Sequence, residues 1–141
     1  MLLLLIALLK LDAYMCAGGL PTPNTTHPMD VIRAAKDMRE WMLNRKIERE
    51  AQNLIGFEVR IGIHTGPVIA GVVGTKKFAF DIWGDTVNTA SRMESSGEAG
   101  KINISCATYE KVKDKITATF RGAVEAKNKG KIEMYFVDGL L

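Results

Sequence analysis

The sequence predicts an α+β fold in a single domain, and three observations lead to that prediction. Its 141 residues match the usual size of one domain. A composition of 47% hydrophobic and 25% charged residues is ordinary for a packed globular protein. Helix-like and strand-like stretches follow one another without a strict strand–helix alternation. We therefore expect an antiparallel-rich sheet with helices on one face, the ferredoxin-like arrangement.

The longest predicted element is a helix from about residue 28 to residue 52. Before it, the Gly, Pro, Asn and Thr residues of 18–28 are typical of an exposed loop. Thr25 or Thr26 can cap the helix, and Pro28 suits its first turn. The apolar residues that recur at helical spacing are Val31, Ala35, Met38 and Met42.

Strands are predicted where apolar residues alternate with polar or small ones. The clearest case is the alternation of Phe57, Val59, Ile61 and Ile63, which indicates a strand with one buried face. A helix is expected from Asp85, as its cap, to about Ser95, and a short one from Ser105 through Val112. The further strands are expected at 68–73, 101–105, 117–122 and 133–137.

The chain begins with an apolar run at 2–9. A buried strand or a core helix is our main interpretation of this run, and the h-region of an export signal is the alternative, although no basic residues precede it. The run is shorter than the ~20 apolar residues that a membrane-spanning helix needs. We therefore expect no transmembrane helix.

Charge and cysteine content exclude several classes of function. A net charge of +3 with scattered Lys and Arg does not predict a nucleic-acid binder. Cys16 and Cys106 fit no metal-binding spacing, so we expect two reduced thiols in a cytoplasmic protein.

Two polar residues of the helix after Asp85 point to a binding site. Asn88 and Arg92 are four residues apart and therefore share one helix face, while Ala90 and Met93 can pack on the sheet. An amide and a guanidinium side by side can bind a hydroxyl group and an anionic oxygen. The alternative from spacing alone is an ordinary solvated helix face.

A distinctive motif surrounds this pair. Residues 56–97 are "GFEVRIGIHTGPVIAGVVGTKKFAFDIWGDTVNTASRMESSG", of which "DIWGDTVNTASRME" is the most specific part. This stretch closely resembles the catalytic segment of the class III nucleotidyl cyclases, the adenylate and guanylate cyclase family. With "DAYMCAGGLP", "KINISCATYEKV" and "KNKGKIEMYFV", the resemblance extends over about 12–138.

The resemblance implies one partial cyclase catalytic domain over 1–141, which converts a nucleoside triphosphate to the 3′,5′-cyclic monophosphate and pyrophosphate. It implies a dimer with two nucleotide sites at the subunit interface. Each site takes its metal-binding aspartates from one subunit and its Asn, Arg and Lys from the other. The partner would be a second copy or a complete cyclase chain.

The family motif also implies roles for individual residues. Asn88 matches the ribose-orienting asparagine, and Arg92 matches the arginine that stabilises charge on the α-phosphate. Asp81 matches the base-recognition residue in the adenine-selective form, which predicts ATP as the substrate, with GTP as the alternative. Lys129 matches the triphosphate lysine, and Asp12 matches the second of two aspartates that bind Mg²⁺ or Mn²⁺.

The chain departs from the family pattern at its start. The first metal aspartate belongs to an "F-x-D-I-x-x-F-T"-like segment, which the 141 residues do not contain, and Leu8 stands where the family has an adenine-recognising lysine. We therefore expect the family's first strand and its following helices to be missing. A partner would then have to supply the absent metal aspartate. The alternatives are an inactive dimerisation or regulatory module, and an α+β domain that shares only the fold.

Overall fold

The computed structural model describes residues 2–8, 12–74 and 79–141. These residues form a six-stranded sheet in the order β2-β1-β3-β6-β8-β7 and a two-stranded ribbon of β4 and β5. The strands are β1 (Leu2–Leu8), β2 (Asp12–Gly18), β3 (Val59–Thr65), β4 (Ile69–Val73), β5 (Ala79–Trp83), β6 (Ile102–Ser105), β7 (Ile116–Ala126) and β8 (Gly130–Leu140). The helices are α1 (His27–Ala51), α2 (Asp85–Ser95) and α3 (Cys106–Val112).

The large sheet is mostly antiparallel, as the sequence predicts. Only β3 and β6 run parallel to each other, and every other neighbouring pair within it is antiparallel. Mixed pairing of this kind with three helices is an α+β fold. The predicted fold class is therefore confirmed.

One face of the sheet carries the main core. Alternate residues of β3 point towards α1 and are fully buried there, with Ile61 and Ile63 at 0% exposure. The first half of α1 supplies the opposing apolar surface, and α3 adds Val112 to the same cluster. The buried members of this cluster are Met29, Val31, Ile32, Ala35, Val59, Ile61, Ile63, Ile102, Ile104, Val112, Ile116 and Val137.

The opposite face of the sheet carries α2. Gly62 alternates with Ile61 and Ile63, so its Cα faces away from α1, and it lies against the backbone of Met93 and Glu94. On the neighbouring strand the Asn103 side chain, which is also fully buried, donates a hydrogen bond of 2.7 Å to the Met93 carbonyl. The expected placement of helices on one face therefore holds for α1 and α3, and α2 is the exception.

Most predicted elements are present close to their expected bounds. The helix expected over 28–52 is α1, and the short helix after Ser105 is α3, with the Ser105 hydroxyl accepting from the Thr108 N–H at 3.4 Å. Two tail strands are longer than predicted. The sequence pattern missed β5, because this strand is only five residues long and is exposed along most of its length, so no alternation of buried and exposed residues marks it.

One prediction about α2 is wrong. Asp85 does not cap this helix but is its first residue; the N-cap is Gly84, and no side chain caps the backbone there. Gly84 has φ 132°, a conformation that residues with a Cβ rarely adopt. The strand-to-helix turn therefore needs a glycine at the cap position, which moves Asp85 into the first turn.

The apolar run at the start of the chain contains β1. This strand lies between β2 and β3 and is antiparallel to both, so the strand interpretation holds over Leu2–Leu8 and the core-helix interpretation does not. Cys16 and Cys106 are free thiols, as predicted. Across the described residues, no helix has both the length and the apolarity that a membrane crossing requires.

The contact between α2 and β3 leads to a stability prediction. A methyl group at position 62 would overlap the Glu94 backbone and come within 2.6 Å of the Met93 carbonyl carbon. Because backbone cannot move aside as a side chain can, we expect Gly62→Ala to lower the free energy of unfolding by about 2 kcal/mol or more. Chemical denaturation measures this change.

The matched control is Gly71→Ala in β4. Within the described ranges, a Cβ there would meet the Trp83 ring alone, at an ordinary contact distance of 3.6 Å. This variant should unfold within about 0.5 kcal/mol of the unmodified protein. Equal stabilities for the two variants would contradict a close backbone contact at Gly62.

Candidate functional site

Helix α2 presents Asn88 and Arg92 on the side that faces away from the sheet. Ala90 and Met93 are fully buried on the inner side, whereas Asn88 is exposed and Arg92 is half-buried. The helix therefore has a packed face and a polar face, in agreement with the spacing argument. An amide and a guanidinium are open to a ligand from the same direction.

The start of α2 is tied to the loop between β3 and β4. The buried Thr86 donates its hydroxyl proton to the Pro67 carbonyl at 2.5 Å. One turn further on, the Thr89 hydroxyl donates to the Asp85 carbonyl at 2.9 Å. The bond from Thr86 ties the first turn of α2, and with it the position of Asn88, to that loop, whereas the bond from Thr89 lies within the helix.

Lys129 reaches the same end of α2 from the turn between β7 and β8. The Lys129 N–H donates to the Ala126 carbonyl at 2.9 Å, and Asn128 and Gly130 have positive φ values of 62° and 69°. Asn and Gly tolerate this left-handed backbone better than other residues do. Ala126, at the base of the turn, is fully buried and packs with Met93 of α2.

The ammonium group of Lys129 forms an ion pair with the carboxylate of Asp85. The Lys129 side chain is only 20% exposed, whereas the Asp85 side chain is 79% exposed. The hydrogen bond from Lys129 is the main reason that the pKa of Asp85 lies below its ordinary value. The pair therefore holds the Lys129 ammonium group next to Asp85, three residues before Asn88 on the helix.

His64 lies on the α2 side of β3, close enough to Asp85 and Lys129 to interact with their charges. Its Nδ1 is 2.7 Å from the Ser105 hydroxyl oxygen. Burial lowers the pKa of His64, while Asp85 opposes that shift and Lys129 adds to it. The His64 ring is therefore held on the face of β3 by its contact with Ser105.

Asp81 lies apart from the Lys129 region. It belongs to β5, opposite Gly71 of β4, and its side chain is exposed. The Asp81 carboxylate accepts a hydrogen bond of 2.8 Å from the N–H of Ile82. Within the described part of the chain it makes no side-chain hydrogen bond to Asn88, Arg92 or Lys129. Its carboxylate is therefore open to a ligand.

Asp12 lies at the start of β2, where its backbone is in register with Leu8 of β1. The residues between them, 9–11, lie outside the described ranges, as does the Asp12 side chain. Over the described residues, no group of three or more His, Cys, Asp or Glu side chains could hold a metal ion.

Known proteins match this chain both in sequence and in fold. A family model described as the adenylate and guanylate cyclase catalytic domain matches residues 11–139. The chain belongs to this cyclase family. The solved guanylate cyclase domain of RhGC from Catenaria anguillulae, in complex with GTP, superposes on the cyclase domain with a TM-score of 0.83 at 34% identity, covering 96% of this chain and 74% of that one.

Two curated relatives represent the two nucleotide specificities. The guanylate cyclase soluble subunit beta-2 of Rattus norvegicus is 42% identical over 127 residues, which are 89% of this chain and 18% of that protein. The adenylate cyclase of Mycobacterium tuberculosis (strain ATCC 25618 / H37Rv) is 38% identical over 128 residues, which are 91% of this chain and 28% of that protein. The cyclase domain thus spans less than a third of either relative.

The sequence pattern did not reveal the partner of Lys129. Asp85 and Lys129 are 44 positions apart, and no local period connects them. Only the packing of the β7–β8 hairpin along α2 brings them together. The sequence predicted Asp85 as a helix cap, because an aspartate suits a helix cap as well as it suits an ion pair.

The ion pair leads to a prediction about protonation. We expect Lys129→Met to raise the pKa of Asp85 towards the ordinary value of an aspartate, because the main cause of the depressed pKa is then removed. A titration of the Asp85 carboxyl carbon followed by NMR measures the change. The ion pair stabilises the folded state at pH values above the ordinary pKa of an aspartate. Its contribution is lost as the pH falls through the lower pKa that Asp85 has in the folded protein.

Lys127→Met is the matched control for this measurement. Lys127 lies on the same turn, is exposed, and makes no ion pair within the described residues. Its removal should leave the Asp85 titration unchanged. If both lysine variants shift the Asp85 pKa equally, the assigned pairing is wrong.

Proposed function

We propose that the cyclase domain converts ATP to 3′,5′-cyclic AMP and pyrophosphate in a site that a second cyclase chain completes. The observation that carries this proposal is the outer face of α2, where Asn88 and Arg92 face away from the sheet and Lys129 is fixed at the same helix. Together they offer one neutral polar group and two cations, which suits a ribose bearing a triphosphate.

Each of these groups has a task in the reaction. The ribose 3′-hydroxyl gives up its proton to solvent while its oxygen attacks the α-phosphorus, and the bond from that phosphorus to the oxygen bridging to the β-phosphate breaks, so that pyrophosphate leaves with the electron pair of that bond. Asn88 orients the ribose so that the 3′-oxygen lies in line with the leaving group. Arg92 stabilises the charge that develops on the α-phosphate oxygens, and Lys129 binds the departing phosphates.

The second chain is supported by the surface of the β4–β5 ribbon. Two strands alone make a ribbon of marginal stability in water. This ribbon nevertheless exposes five large apolar side chains, three on one face and two on the other, and exposed apolar patches mark interaction surfaces. They are Ile69 (71% exposed), Val72 (65%), Val73 (44%), Phe80 (59%) and Trp83 (36%). We infer that a second cyclase catalytic domain covers this ribbon, as a homodimer or a heterodimer.

The metal would come mainly from that second chain. Mg²⁺ or Mn²⁺ requires carboxylate and other oxygen ligands, and the described residues of one chain assemble no such group. A complete cyclase partner would bring its own aspartates to the nucleotide held by Asn88, Arg92 and Lys129. Asp12 would contribute to the other site of the dimer.

Two alternatives have observations in their favour. Similarity to the guanylate cyclase subunit of rat favours GTP as the substrate. The lack of a three-residue metal cluster over the described residues favours an inactive module that dimerises with a complete cyclase and regulates it. The first alternative predicts that GTP is the preferred substrate of the mixed site, and the second predicts a heterodimer that forms no product.

A complementation assay tests the proposed function. The chain is mixed with a complete cyclase domain whose own Asn, Arg and Lys have been removed, so that only the mixed site can react. We expect cyclic AMP formation with Mg²⁺ or Mn²⁺, and Arg92→Ala should lower kcat about 10²-fold or more through loss of a transition-state contact. The product is quantified by chromatography.

Arg33→Ala is the control in that assay. Arg33 lies on α1, is 59% exposed and, among the described residues, pairs with Asp30 alone, so its removal should leave the rate unchanged. A heterodimer without any product would support the regulatory alternative. If neither a heterodimer nor a product forms, the complementation hypothesis is wrong.

Base recognition by Asp81 makes a further prediction. A carboxylate accepts a hydrogen bond from the adenine amino group, whereas guanine presents a carbonyl oxygen at that position. We expect the mixed site to prefer ATP over GTP, and Asp81→Ala to reduce the ratio of the two kcat/KM values by about tenfold or more, the loss of a specific polar contact. Competition between the two nucleotides measures this ratio.

Asp138→Ala is the control for this experiment. Asp138 is also an exposed aspartate, and its carboxylate accepts from the Thr119 hydroxyl at 2.8 Å, far along the sheet on β8. It should leave the ATP-to-GTP ratio unchanged. Preferred turnover of GTP by the unmodified chain would overturn the assignment of Asp81 to adenine.

A further inference from the structure

The ion pair of Lys129 with Asp85 occupies the ammonium group that the proposed function assigns to the triphosphate. Both partners are side chains of this chain, so the contact is present before any nucleotide binds. A lysine ammonium is a compact charge with three donors, and a carboxylate and a phosphate compete for the same donors. The nucleotide must therefore displace Asp85 or share Lys129 with it.

Helix α2 does not need the Asp85 carboxylate as a cap. Gly84 is the N-cap, and the bond from Thr89 is made to the backbone carbonyl of Asp85. The Asp85 side chain is also 79% exposed, so it has no packing role. The ion pair with Lys129 is its principal contact within the described residues.

Lys129 is held more firmly than its partner. Its side chain is only 20% exposed, and the turn that carries it is fixed by the bond to Ala126. The ammonium group therefore stays at the start of α2 whether it faces a carboxylate or a phosphate. Asp85, which is largely exposed, can rotate away into solvent.

We propose that Asp85 is an internal competitor of the triphosphate for Lys129, and that it sets the affinity of the site for nucleotide and for pyrophosphate. This inference rests on the proposed function, because it takes Lys129 as a phosphate ligand. Asp85 keeps Lys129 paired while the site is empty, gives way when the triphosphate arrives, and pairs with Lys129 again as pyrophosphate leaves. The contact between Asp85 and Lys129 thus weakens the binding of both the nucleotide and pyrophosphate.

Binding of an unreactive nucleotide tests the inference. The probe is 3′-deoxy-ATP, which cannot cyclise because it lacks the attacking hydroxyl group, and the protein is the full chain with the complementing cyclase domain described above. Asp85→Asn should lower Kd for the probe about two- to fivefold, the range expected for loss of one exposed charge pair. The inhibition constant of pyrophosphate should fall by a similar factor.

A second background separates competition from a structural effect. In Lys129→Met protein the competitor has no target, so Asp85→Asn should change neither constant. A change of equal size in both backgrounds would overturn the inference, as would unchanged or weaker binding by Asp85→Asn in the Lys129 background. Circular dichroism and thermal unfolding of each variant show whether it is folded.

Failure of the inference differs from failure of the proposed function. If the unmodified mixture binds 3′-deoxy-ATP and Asp85→Asn has no effect, only the competition is wrong. If the unmodified mixture binds neither the probe nor pyrophosphate, the nucleotide site itself is wrong, and the inference falls with it. Glu110→Gln, which removes the exposed pair of Glu110 with Lys113 on α3, is the control for a general change of charge.

Discussion

The close approach of α2 to β3 at Gly62 is the constraint on which the candidate site depends. Helix backbone packs directly on strand backbone there, because position 62 has no side chain. The bond from Asn103 to the Met93 carbonyl fixes the same helix turn from the neighbouring strand. Once these contacts set the depth and rotation of α2, its outer face is determined, and Asn88 and Arg92 must lie on it.

The same contacts place the β7–β8 hairpin. Met93 of α2 is buried against Ala126 and Met134, so the hairpin runs along the helix, and its turn ends at the first turn of α2. Lys129 meets Asp85 there although the two lie in distant parts of the sequence. The apolar contact of Met93 with Ala126 and Met134 thus places the ion pair of Lys129 and Asp85 at the start of α2.

Local periodicity explains what the sequence could predict and what it could not. The helix α1, the strand around Ile61 and Ile63, and the Ser105 cap of α3 follow from spacing and cap chemistry within a few residues. Spacing also gave the polar face of Asn88 and Arg92. The placement of α2 on the opposite face of the sheet and the Asp85–Lys129 pair depend on contacts between distant segments. The Gly84 cap was not predicted because Asp85, by residue type, is an equally good cap. The roles proposed for Asp81, Asn88, Arg92 and Lys129 came from the family motif.

The exposure of the polar face explains why the proposed chemistry needs a second chain. Asn88 is exposed and Arg92 half-buried on a convex helix surface, where water screens a guanidinium and competes for its donors. Stabilisation of a developing phosphate charge is strong only where water is excluded and the donors are fixed. The apolar β4–β5 ribbon, which leads directly into α2, offers the surface on which another domain can dock. Under the proposed function, docking there would convert an exposed helix face into an enclosed cleft and would bring the metal-binding carboxylates to it. Affinity for the partner and catalytic rate would therefore depend on the same surface.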